Sequence, residues 1–267
     1  MLARFVDMVS RSATGKRLLW RSWYQFLAAR YRDPAWTFMN YGYRSADDPA
    51  PQLDPATEPE RSCAQLYDVV ARGAPIRGRE VLEVGCGRGG GAAYVARAFE
   101  PRRMVAVDLS PRAIALCRSR FVQPNLAFQV GDAEKLPFGD ASFDVVVNVE
   151  SSHCYGHFGL FLREVRRVLH PNGHFLYADF RPAEQLATWR GDLLAAGFAI
   201  AVERDLRPGV VAAFDVEDAA KRAYIHQIID RPLQGIFRQF AAVQGSVLND
   251  AFRRGEFGYR AFALTPS

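Results

Sequence analysis

A chain of 267 residues, 49% of them hydrophobic, suffices for one α/β domain with an added segment and a full core. Its net charge of +5 gathers in residues 1–32, where seven basic side chains face the single acid Asp7, and the near-neutral remainder argues against a nucleic-acid enzyme with basic stripes beside its site. No apolar run reaches a membrane span of roughly 20 residues or forms a secretory leader, and the four cysteines (Cys63, Cys86, Cys117, Cys154) form no CxxC pair, so free thiols, a cytoplasmic setting and no metal site are expected.

Residues 15–32 place Leu19, Trp23, Leu27 and Tyr31 at i, i+4 spacing, with Trp20 beside them. That is a helix whose aromatic side must cover something. Its basic charge reads either as a solvated helix face or as a contact to anionic lipid or an acidic partner. The stretch "DPAWTFMNYGYRSADDPAPQLDPATEP" predicts an irregular segment laid over the surface, and a helix resumes at "RSCAQLYDVVARGA".

Strands and helices alternate after Gly78. The strands are "REVLEV", "RMVAVDLS", "LAFQVGD", "FDVVVNVE" and "GHFLYADF", each followed by a turn and most by a helical stretch. Ser110 and Pro111 suit the cap and first position of the helix after the second strand. Residues 204–256 break the rhythm with a mostly helical, Arg-rich insertion, and "GYRAFALT" closes as a last strand. Such alternation predicts a mostly parallel sheet covered on both faces, with its ligand site beyond the carboxyl ends of the strands.

Four features fall at those ends. Gly85-Cys86-Gly87-Arg88-Gly89 follows the first strand and opens a helix, where free N–H groups favour negative charge. Nicotinamide, flavin and adenosylmethionine sites all use such a turn, and Gly90 and Gly91 blur the spacing that would separate them. Asp108 ends the second strand, where a carboxylate can accept both ribose hydroxyls. Asp132, within Gly131-Asp132-Ala133, ends the third and can accept the exocyclic amine of adenine. The fourth is "NVESSHCYGH", with Glu150, His153 and His157.

The set "VLEVGCGRGG", "VAVDLS", "GDAEKLPF", "SFDVVVNVE" and "RVLHPNGHFLYADF" resembles, in order and interval, class I adenosylmethionine-dependent methyltransferases over residues 79–203. "WTFMNYGY", "NVESSHCY" and "VQGSVLNDAFRRGEFGY" further resemble bacterial small-molecule methyltransferases of polyketide, glycolipid and sugar maturation, the phthiotriolone and phenolphthiotriolone type among them. The resemblance implies a Rossmann-like, doubly wound, seven-stranded α/β sheet with an N-terminal helical arm and a helical lid insertion. The expected units are residues 1–60 (arm and aromatic cover), 61–203 (core), 204–256 (lid) and 257–267 (final strand). It implies S-adenosyl-L-methionine as cofactor, with Gly85, Cys86 and Gly87 at the methionine part, Asp108 at the ribose, and Asp132 and Ala133 at the adenine. Leu109 would pack on the adenine face, and Asn148 and Val149 would flank the methionine end through backbone groups. Arg88 departs from the pattern and is expected to point outward.

Methyl transfer to a hydroxyl needs a base, and histidine suits it when a second group holds its tautomer. His153 past the fourth strand and Asp179 ending the fifth are expected to face one crevice, because those strands are expected neighbours. Glu150 would touch the substrate or brace the loop, and His157 and His174 would lie on the surface. Residues 36–43 and the lid, with Phe214, Tyr224, Ile228, Phe237, Phe240 and Leu248, would exclude water. An apolar cover suits a lipophilic acceptor. Transfer to carbon or nitrogen, and an adenosylmethionine-binding cyclase, stay open, as do a homodimer and a membrane contact through the arm.

Overall fold

The computed structural model describes residues 12–267. The part of the basic arm that holds Arg4, Asp7 and Arg11 lies outside the described residues.

Seven strands form one sheet: β1 (Glu80–Val84), β2 (Arg103–Asp108), β3 (Leu126–Val130), β4 (Phe143–Val149), β5 (Leu169–Pro182), β6 (Phe198–Asp205) and β7 (Phe257–Pro266). Their order is β3-β2-β1-β4-β5-β7-β6, parallel from β3 to β5, with β7 antiparallel between β5 and β6. This is the Rossmann-like, doubly wound α/β fold. Strand order reverses between β1 and β4, so the crevice beyond their carboxyl ends is the place for a ligand.

The buried strands are β-branched runs, as a sheet covered on both faces requires. Val81 and Val147 belong to one core cluster with Leu66, Tyr67 and Phe214. Their chain neighbours Leu82 and Val146 point the other way, into a cluster with Phe161, Phe175 and Trp189. β6 is not among the strands that the pattern marks. It is an edge strand, "FAIAVERD", exposed at Ala199, Ala201, Val202, Glu203 and Asp205, so it carries no buried run to announce it. It ends at Asp205, just past the expected start of the lid.

The helices are α1 (Ala13–Arg30), α2 (Arg61–Ala71), α3 (Gly90–Ala98), α4 (Pro111–Arg120), α5 (Phe158–Val168), α6 (Leu186–Ala195), α7 (Arg207–Ile228), α8 (Gln234–Phe240) and α9 (Val247–Arg254). Ser110 caps α4 by accepting from Ala113 N at 3.2 Å, ahead of Pro111. Leu27 of α1 and Tyr31, just past its end, bury against Ile225, Ile229, Phe237 and Val243, so the arm packs on the lid. Among the described residues, no helix is long and apolar enough to cross a membrane.

Candidate active site

β1 ends in the glycine turn. Gly85 takes a φ of +81°, and a Cβ there would lie 2.3 Å from the Ser151 hydroxyl. Glycine is what lets the end of β1 and the loop after β4 approach this closely. Beside this turn lies a cleft lined by Gly85, Cys86, Gly87, Asp108, Leu109, Asp132, Ala133 and Val149. Three strand ends thus converge on it, those of β1, β2 and β4, together with the turn after β3.

Asp108 faces this cavity. Its carboxylate accepts from Gly87 N at 3.0 Å and Ser110 N at 2.8 Å, one bond to each oxygen. Burial pushes its pKa up to about 6 against these two bonds. Each oxygen retains a lone pair, the donor-free geometry that a vicinal diol needs. Asp132 accepts from Glu134 N at 3.1 Å and is ion-paired with Arg17 of α1. The arm therefore reaches across the cavity to the acid expected at the adenine. These residues fit adenosylmethionine: a carboxylate for the ribose, a second acid for the amine, and a glycine turn for the amino-acid part.

One reading changes. Arg88 does not point outward; it is 2% exposed. It donates to Tyr31 O at 2.8 Å and Trp36 O at 2.7 Å, and its guanidinium lies 4.2 Å from the Trp36 ring centroid. A planar cation with several donors satisfies two carbonyls at once. Arg120 grips the same segment through Arg32 O, Asp33 O and Trp36 O. Asn148 does not line the cavity. It is fully buried beneath it, and Nδ2 lies within hydrogen-bonding reach of Val84 O at 2.9 Å, Ser151 Oγ at 2.7 Å and Tyr155 Oη at 3.0 Å, three acceptors that share its two protons.

β4 and β5 pair with Val149 opposite Ala178, which brings their carboxyl ends together. Asp179 is fully buried there and lies 2.8 Å from His153 Nδ1. It also accepts from His153 N at 3.0 Å, Ser152 Oγ at 2.6 Å and Phe180 N at 2.8 Å, and pairs with Arg181 at 3.3 Å. Burial alone would raise its pKa; the charges of His153 and Arg181 prevail and hold it below the usual carboxylate range. For His153, burial opposes the cation, but the Cys154 sulfur and the Asp179 carboxylate prevail and push it up to about 10. Trp20 stands edge-on to its ring at 6.1 Å, and Phe180 lies against it at 4.5 Å.

Glu150 has φ of +46° and is buried. Both of its oxygens accept from Tyr41 N at 3.0 Å, and Oε1 also accepts from Tyr259 Oη at 2.8 Å. It ties the cover segment and β7 to the end of β4. Burial pushes its pKa up to about 7. His157 is exposed and His174 half-buried.

His153 opens onto a second cavity, walled chiefly by Trp36, Met39, Tyr41, Phe180, Ile225, Phe237 and Phe240. Tyr24, Phe38, Met39, Asn40 and Glu150 line both cavities and form the boundary between them. Of the lid residues named from the sequence, Tyr224, Phe237 and Phe240 face this space. Phe214 is buried and Leu248 partly buried in the core, and Ile228 is 40% exposed. Sequence reasoning passed over Arg17, Tyr24 and Tyr259. Tyr24 sits one position beyond the apolar stripe of α1, and its hydroxyl lies 3.7 Å from Cys154 Sγ. Among the described residues, no group of three or more His, Cys, Asp or Glu side chains is placed to hold a metal.

Residues 82–177 match the family described as methyltransferase domain. The chain is 38% identical over 254 residues to the phthiotriol/phenolphthiotriol dimycocerosates methyltransferase of Mycobacterium tuberculosis strain H37Rv, covering 95% of this chain and 94% of that one. It is also 38% identical to the fatty-acid O-methyltransferase of Mycolicibacterium smegmatis, covering 83% of this chain and 80% of that one. Its fold is similar to that of the [4+2]-cyclase SpnF, with a TM-score of 0.67 at 22% identity over 96% of both chains.

Proposed function

The chain belongs to the S-adenosylmethionine-dependent methyltransferases, and from that premise we propose that it methylates a hydroxyl of a lipophilic small molecule, with His153 as the base. One observation carries this reading. His153, held by Asp179, opens onto an apolar cavity that adjoins the cofactor cavity along Tyr24, Met39 and Glu150. The names of the relatives, which specify lipids and in one case transfer to oxygen, support an acceptor of this kind.

Adenosylmethionine, when bound, supplies an electrophilic methyl group on a positively charged sulfur. Asp108, Asp132 with Ala133, Leu109 and the Gly85–Gly87 turn with Val149 would hold it. The remaining work falls to the chain. The apolar walls and the cover segment exclude water and hold the acceptor in line, an alignment that can contribute roughly 7–11 kcal/mol. Asp179 accepts the Nδ1 proton, which leaves Nε2 of His153 as the nitrogen that takes the acceptor's proton. Asp179 and Cys154 favour the protonated ring; a positive charge in the adjoining cavity opposes it and lowers the pKa toward the range in which the ring acts as a base. Glu150 braces the boundary.

The test is incubation with isotopically methyl-labelled adenosylmethionine and a panel of long-chain alcohols and hydroxy lipids, read by mass spectrometry and NMR. Label on an ether oxygen, with release of adenosylhomocysteine, is expected. Label on carbon or nitrogen would replace the oxygen assignment, and a rearranged product without label would point to a cyclase.

A further inference from the structure

Arg181, two positions past Asp179 on β5, lines neither cavity. Its guanidinium is nonetheless built into the site. Nη1 donates to Phe180 O at 2.7 Å, and Nη2 donates to Ser152 Oγ at 2.7 Å and to Tyr177 Oη at 3.2 Å. The cation lies over two rings, 4.8 Å from the centroid of Trp189 on α6 and 5.4 Å from that of Phe158 on α5. Nη1 also stands 3.3 Å from Asp179 Oδ2. Ser152 extends that contact, since it accepts from Arg181 and donates to the same Oδ2 at 2.6 Å. The imidazole of His153 meets the other oxygen, Oδ1. One carboxylate, closed to solvent, thus faces a basic group at each of its oxygens.

A guanidinium keeps its proton throughout the pH range of a folded protein. The single negative charge of Asp179 is therefore already balanced by Arg181. A proton on His153 then leaves a net positive charge on a buried trio, which burial disfavours. Without Arg181, the carboxylate would act on the imidazole with its whole charge and hold a proton there. Asp179 and the Cys154 sulfur already draw the ring toward its cation, to a pKa of about 10. A base that works near neutral pH needs a fixed positive charge set against that pull. The other charged or titratable groups around the ring are Glu150 and Cys154 on its own loop, Lys16 and Tyr24 on α1, and Tyr41 on the cover segment. Glu60, Tyr224 and the pair of Lys221 with Glu217 line the cavity onto which it opens. Arg181 differs from these in being ion-paired to the carboxylate that orients the ring.

We propose that Arg181 is a positioning residue for methyl transfer: it takes up part of the charge of Asp179, so that the carboxylate orients His153 without locking a proton onto it. This rests on the reading of His153 as the base.

The test is a pH titration of the histidine ring protons by NMR, on the full chain with adenosylhomocysteine bound. The His153 signal is the one missing from the spectrum of His153→Ala. Arg181→Gln, which keeps a donor for Ser152 and removes the charge, should raise the His153 midpoint by about one pH unit. Arg181→Lys, which keeps the charge, should hold it within about 0.3 unit. Arg181→Met fills the space between Trp189 and Phe158 without a charge and takes the place of Arg181→Gln if that variant fails to fold. A midpoint that stays put in the uncharged variant overturns the proposal. So does an equal rise in Arg181→Lys, since lost packing rather than lost charge would then move the ring. The base reading fails separately: if His153→Ala keeps the turnover of the unsubstituted protein, Arg181 governs a ring that does no chemistry, and its part in methyl transfer falls even with the midpoint moved.

Discussion

Asp179 holds His153 from two directions: Oδ1 lies 2.8 Å from the ring Nδ1, and Oδ2 accepts from the backbone N at 3.0 Å. Side chain and loop are thereby oriented by one buried carboxylate. Replacing His153 by Ala should cut turnover at least about a hundredfold, the low end of what a positioned base contributes. Cofactor affinity should stay the same, because His153 lines the second cavity and not the first. Steady-state kinetics with calorimetry reads both, and a rate near that of the unsubstituted protein would reduce His153 to a structural loop residue.

Asp108 gives a pH dependence. Its raised pKa of about 6 means that the carboxylate takes up a proton as pH falls through that value. A protonated acid loses acceptor capacity for the ribose hydroxyls, so adenosylmethionine affinity should weaken from pH 7.5 to pH 5. Asp108→Ala should abolish binding in calorimetry at either pH. Unchanged affinity in that variant would remove Asp108 from the cofactor site.

Arg88 is a stability prediction. Its two hydrogen bonds to Tyr31 O and Trp36 O are made by a buried cation, and bonds of that kind contribute about 1.5–3 kcal/mol each. Arg88→Ala should lower the urea midpoint by an amount equivalent to about 2–4 kcal/mol. Arg88→Lys should recover little, since an ammonium cannot span both carbonyls and stack on Trp36. A midpoint that does not move would show that the cover segment is held by other contacts.

Arg17 tests the arm. Its ion pair with Asp132 fastens α1 across the cofactor cavity, and both partners are partly exposed. Such pairs contribute up to about 1 kcal/mol, so Arg17→Ala should raise the association rate of adenosylmethionine by at most about fivefold in stopped-flow fluorescence. An unaltered rate would mean that the cofactor enters without displacing this contact.

The sheet was legible wherever a strand is buried on both faces, because β-branched runs such as "FDVVVNV" followed by a glycine or acid announce both the strand and its functional end. The edge strand β6 lacks that signal. The crevice was legible for the same reason: Gly85, Asp108, Asp132, His153 and Asp179 all sit within a few residues of strand ends. Contacts made across the chain were not. Arg88 looked like a surface cation because its partners, Tyr31 O and Trp36 O, come from a segment more than fifty positions earlier. The place of the Asn148 side chain beneath the cavity was not legible either, because its partner Val84 O lies on another strand. The roles of Arg17 and Tyr259 depend on how arm and final strand fold back, which local pattern does not encode.

Glu150 receives one of its bonds from Tyr259 on β7, more than a hundred positions later in the chain. On the ribosome, the loop that carries Glu150 and His153 therefore emerges well before the strand that steadies it. Until that strand inserts between β5 and β6, the growing polypeptide has a sheet with an open edge and a buried acid short of a donor. Methyl transfer should accordingly begin only after synthesis has passed Tyr259, and a product halted inside the lid should be inert and dependent on chaperones.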